Sequence, residues 1–155
     1  MTTNADLYAQ DFFQWAQTTA ALIRAGKWQD VDVNAIAEEL ESLGKQDRRE
    51  VRRHLEALVC DLLKWWAQPA ERSGRWRSTI RIQRHELELI LRDSPSLQAQ
   101  LSTFLTEEYP AAREKALADT KLYTLPEACL FTPAQVLDAD YWPENPSLAH
   151  AGRPA

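Results

Sequence analysis

The chain has 155 residues, 45% of them hydrophobic and 26% charged, which suits one globular domain with a buried core and excludes global disorder. A net charge of −5 argues against a generic nucleic-acid binder, because binding to a phosphate backbone draws on accumulated positive charge. No apolar run reaches the roughly 18 residues that a bilayer-spanning helix needs. The opening MTTNADLYAQDFFQW also lacks the basic and apolar regions of a signal peptide, so a cytoplasmic protein without membrane contact is expected, with Cys60 and Cys129 as reduced thiols.

In chain order, the first helix is predicted from Asp11 to Ala25, where Phe12, Trp15, Ala16, Thr19, Leu22 and Ile23 recur at helical spacing and Gly26 stands at the C′ position. Asp32 is placed to cap a second helix that ends at Leu43, with Gly44 as its stop signal and Ile36, Leu40 and Leu43 as its apolar stripe. Glu39 falls at the edge of that stripe and calls for a partner. A third helix, Gln46 to Trp66, carries Val51, Leu55, Leu58, Val59 and Leu62. Its second half, LVCDLLKWW, is apolar nearly all round, which predicts a central position.

The fourth helix is predicted over Arg75–Arg92, with Trp76, Ile80, Leu87, Ile90 and Leu91 buried and Arg77, Arg81, Arg84, His85 and Arg92 along the opposite side. Glu88, four residues from both Arg84 and Arg92, is placed to neutralise part of that charge. Ser94 and Pro95 open a fifth helix, which Pro110 is expected to kink or divide. Beyond Leu122 the periodicity fades into a proline-rich tail, in which Thr132, Pro133 and Gln135 predict a short helix through a capping box. The expected organisation is all-α: a single helical domain over residues 1–145, a bundle of about five helices plus a short C-terminal helix and ordered tail, then a frayed segment over 146–155.

Charge is unevenly distributed. Residues 1–44 hold seven acids against two bases, residues 45–92 twelve bases against seven acids, and the remainder nine acids against four bases. A basic middle between acidic flanks is either neutralised inside the fold or faces an external anion.

Catalytic patterns are sparse. Four glycines, none in a phosphate-cradling arrangement, exclude the nucleotide-hydrolysing loops. Arg49 and His54 match the loose R-x4-6-H pattern of the helical HEPN ribonucleases, in which His would act as base and Arg would stabilise phosphate. On a straight helix the two point about 140° apart, and a solvated Arg beside a core-rim His is the competing reading. Glu39, His54, Asp61 and His85 share no metal-ligand spacing, so no metal and no cofactor are expected. Of the six tryptophans, Trp15, Trp65, Trp66 and Trp76 fit core positions, leaving Trp28 and Trp142 as the freest for contact. The face of Arg77, Arg81, Arg84 and His85 is the sharpest binding candidate. Its alternative is pairing with the acidic second helix or with Glu107 and Glu108.

The blocks AEELESLG (37–44), LLKWWAQP (62–69), WRSTIRIQR (76–84) and DSPSL (93–97), in this order and spacing, resemble the bacterial family catalogued as domain of unknown function 29, common in cyanobacteria. The resemblance extends over nearly the whole chain and implies an all-α fold, with no established activity. Its recurring positions correspond here to Glu39, Glu41, Gly44, Lys64, Trp65, Gln68, Pro69, Trp76, Arg77, Ile80, Gln83 and Arg84. Relatives often carry His where this chain has Asp61. The polar members Glu39, Glu41, Lys64, Gln68 and Gln83 form either a network fixing a three-helix junction, with Glu39 answering Arg77 or Arg84, or a shared binding site. The leading functional expectation is a non-catalytic protein-binding or regulatory module, through a protein partner or self-association, with an antitoxin-like role as one form. Nucleic-acid binding by the fourth helix is the alternative, and a HEPN-like ribonuclease the third reading.

Overall fold

The computed structural model describes residues 2–148, so most of the segment expected to fray lies outside the described residues. Within them the chain is all-α: α1 (Asn4–Gln10), α2 (Phe12–Arg24), α3 (Val33–Ala67), α4 (Gly74–Asp93), α5 (Leu101–Thr120) and α6 (Pro133–Leu137), with 3-10 turns at Trp28–Asp30, Pro69–Glu71 and Pro95–Gln100. The chain forms two compact units, the first ending at Gln46 and the second beginning at Asp47.

In the first unit, α1 precedes the first predicted helix, and Thr3 and Asp6 cap it reciprocally in a capping box. Gly26 has φ 71° and closes α2 as predicted. Its N–H donates to the Ile23 carbonyl and that of Lys27 to Leu22, the paired bonds of a Schellman motif. Asp32 caps α3 through the Ala35 N–H. Asn4 joins the three helices: its amide donates to Thr19 Oγ1 at 2.9 Å, and its oxygen accepts from Trp15 Nε1 and the Asp32 N–H. Only Trp15, Thr19 and Ala35 are buried among the described residues of this unit.

Gly44 does not stop the helix. The predicted second and third helices are one 35-residue helix, α3. A C′ glycine ends a helix by turning left-handed, but Gly44 lacks a positive φ, and the residues after it, KQDRREVRRH, are mostly strong helix formers. Glu41 and Lys45, spaced i,i+4 in the favourable order, bracket the glycine. From Leu40 to Arg49 every residue is exposed. A Cβ at Gly44 would meet nothing within 4 Å. Gly44→Ala is therefore expected to raise stability by about 0.5–1 kcal/mol, seen as a higher urea midpoint at unchanged slope. A lower midpoint would refute an uninterrupted helix there.

In the second unit, α3 takes the central place its composition predicts. Val51, Leu55, Leu58, Val59, Leu62 and Leu63 are fully buried, with Ile80 and Leu87 of α4 and Leu101 and Phe104 of α5 in the same cluster. Pro110 lies inside α5 without dividing it. The carbonyl that loses its N–H partner is that of Thr106, an exposed residue, and water can serve it. Burial of Phe104, Leu105, Tyr109, Ala112 and Ala116 holds the helix on either side of the proline.

The tail after α5 is ordered because side chains of α5, and Arg72 before α4, satisfy its carbonyls. Tyr109 Oη donates to Pro126 at 2.8 Å and Arg113 Nε to Leu125 at 2.9 Å. Arg72 donates to Pro143 and pairs with Glu144. Leu125, Phe131, Val136 and Pro143 fill the core from this segment, and α6, with its predicted Thr132–Gln135 capping box, packs on α4 and α5.

Candidate functional site

The arginine face of α4 is built around one indole. Arg77, Arg81 and Arg84 recur at i, i+4 and i+7, which places them on one side of the helix. Their guanidinium carbons stand 5.1, 5.9 and 5.4 Å from the Trp142 ring centroid. Trp65 of α3 lies 4.7 Å from the same ring and carries Arg72 and Arg77 over its own face. Trp142, expected to be free for contact, is thus half-buried among arginines, whereas Trp28 is exposed.

The three arginines do different work. Arg84 is 4% exposed. Its Nε donates to the Val136 carbonyl at 2.8 Å, and Nη2 donates to Tyr141 at 2.8 Å and to Gln135 at 3.3 Å, so this predicted binding residue braces the tail. Burial lowers its pKa, but arginine's ordinary value is high enough to keep the charge. Arg77 and Arg81 are exposed, and neither forms an ion pair among the described residues. Within this unit Glu107 and Glu108, weighed as partners for them, pair with Arg52, and Glu88 forms an ion pair with neither Arg84 nor Arg92. Arg81, Arg84, His85 and Glu88, with Leu137 and Ala139, line a concavity of about 220 Å³.

The other predicted residues separate. Glu39 accepts from the Tyr8 hydroxyl at 2.7 Å, and this bond pushes the Tyr8 pKa up to about 12. Lys64 pairs with Asp61 and Asp119 and lies over Trp76, while Gln68 reaches the Thr120 carbonyl. Gln83 Oε1 accepts from His54 Nδ1 at 2.7 Å, and Glu41 is exposed. Glu39, Lys64, Gln68 and Gln83 thus each make a contact of their own, and Glu41 forms none among the described residues. Arg49 is exposed on α3, one and a half turns before the His54 that Gln83 holds. Cys60 is buried, which pushes its pKa up to about 11 and leaves it a poor nucleophile at neutral pH. No three His, Cys, Asp or Glu side chains converge among the described residues, and no helix there is long and apolar enough to cross a membrane.

The first unit presents a different surface. Phe12, Trp15 and Ile23 of α2 and Ile36, Leu40 and Leu43 of α3 line an open groove of about 370 Å³. Phe12 is 51% exposed, Leu40 64% and Leu43 59%. The apolar stripe predicted for Leu40 and Leu43 is thus open on this side. The described part of this unit carries seven acids against Arg24, Lys27 and Lys45, and Glu39 lines the groove itself.

Residues 7–142 match the model of the family described as "Domain of unknown function DUF29". No curated protein and no solved structure matches the chain.

Proposed function

Since this chain belongs to the DUF29 family, whose description carries no activity, we propose a function from its surfaces: a non-catalytic protein-binding module. Its groove in the first unit takes an amphipathic partner helix that is apolar on one face and basic along its flanks.

The observation that carries this reading is the exposed apolar lining of Phe12, Leu40 and Leu43 in a unit with only three buried side chains among its described residues. A segment below about 60 residues buries too little surface to be more than marginally stable alone, so such a lining favours a covering element. An apolar groove between two helices suits a third helix presenting anchors at i, i+3 or i+4, and i+7. The acidic surround selects the charge of that helix: Glu38, Glu39 and Glu41 repel acidic flanks and attract Lys or Arg.

A synthetic amphipathic peptide with leucines on one face and lysines on its flanks tests this, with the full-length protein and fluorescence anisotropy. Saturable binding is expected. It should be lost on scrambling the peptide at constant composition, weakened by Glu flanks, and reduced at least roughly tenfold by Leu40→Asp with Leu43→Asp, since an anchor pocket supplies about 2 kcal/mol or more. Equal binding of the scrambled peptide, or no effect of the double variant, would overturn the reading. A homodimer that the same two substitutions dissolve would also overturn it, by making a second copy the occupant.

A further inference from the structure

The α4 arginines carry a second inference, independent of the groove. Three cations surround Trp142, and the exposed pair, Arg77 and Arg81, has no carboxylate partner among the described residues, although Arg52, Lys64 and Arg72 all have one. The start of α4 adds to this charge. Its first turn holds Arg75 and Arg77 and no acid, so bases stand at the positive end of the helix dipole, where they are unfavourable for folding.

Arg84 adds a donor to this face. Arg84 Nη1 is buried without a hydrogen-bond partner, and Arg84 lines the concavity next to Arg81 and His85. Buried donors ordinarily have acceptors. Trp142 itself is no stacking surface for a base, because Trp65 and three guanidinium groups already surround it.

We propose that the concavity lined by Arg81, Arg84 and His85 binds a phosphoryl group, with Arg77 adding to the field at its edge. A phosphoryl group offers three acceptor oxygens, which suit several guanidinium donors better than the two oxygens of a carboxylate. Glu88 is the one acid in the wall, so it opposes the anion.

That opposition gives the test a pair of variants with opposite signs. Binding of inorganic phosphate, adenosine monophosphate and a labelled oligouridylate to the full chain is measured by calorimetry and anisotropy, with folding checked by circular dichroism. Arg81→Gln is expected to weaken binding roughly tenfold, Glu88→Gln to strengthen it, and Arg49→Gln, on exposed α3, to leave it unchanged. Oligouridylate binding that is far tighter than phosphate and falls steeply with salt would assign the phosphoryl group to a polynucleotide. Equal affinity for phosphate and the monophosphate would assign it to a small ligand. No saturation below about 10 mM by any of the three probes, equal weakening by Arg49→Gln and Arg81→Gln, or acetate competing as well as phosphate would overturn the proposal.

Discussion

Arg84→Met is expected to destabilise the protein by about 3 kcal/mol or more, because three backbone carbonyls lose a charged donor. The methionine fills much of the same space, so the loss arises from the partners: the carbonyls of Gln135, Val136 and Tyr141 lose their donor while remaining under cover. Each carbonyl left unsatisfied costs about 1–3 kcal/mol, moderated by any water that enters. Lysine at this position keeps the charge but has no planar fork to span carbonyls on two stretches of chain, so Arg84→Lys is expected to recover less than half of the loss. The damage begins locally. Amide exchange should accelerate first over residues 133–143, and protease should cut there before the helices unfold. A loss below about 1 kcal/mol would mean that water replaces the guanidinium and that the tail is held by its other contacts, those of Tyr109, Arg113 and Arg72 and its buried side chains.

Phe104→Ala is the second large effect, at about 3–5 kcal/mol for a fully buried aromatic ring. Phe104 is 0% exposed and sits in the cluster with Leu55, Leu58 and Leu101. Arg48 and Arg52 lie over its ring at 5.3 and 5.7 Å, so the substitution also removes the surface on which Arg52 rests while it pairs with Glu107 and Glu108. Domains of this kind have total stabilities of about 5–15 kcal/mol, and the variant would lose a large share of its own. Urea denaturation reads this directly. A loss under about 1 kcal/mol would show that neighbouring side chains close the cavity, and Phe104→Leu, which leaves a smaller void, should fall between wild type and alanine.

The candidate site was legible where it lay on one helix and invisible where it joined distant segments. The i, i+4, i+7 spacing of Arg77, Arg81 and Arg84 on a predicted helix already placed them on one face. The arrival of Trp142 from the tail had no periodic signal, since a single tryptophan among prolines belongs to no repeating pattern. Glu39 shows the same limit. Its position at the edge of an apolar stripe calls for a partner, but that partner is Tyr8, from α1, a short helix with no apolar periodicity to announce it.

The sequence by itself determined the all-α class, the Gly26 stop, the caps at Asp32 and Thr132, and the central place of the apolar half of α3, because these depend on interactions within a few turns of chain. Tertiary structure decided the rest. Whether Leu40 and Leu43 are buried depends on what lies opposite them, and an apolar stripe looks the same whether it meets a neighbouring helix or stays open for a partner. Arg84 follows that rule too: its charge reads as a surface residue, and only the convergence of three carbonyls from residues 135–141 makes its burial favourable.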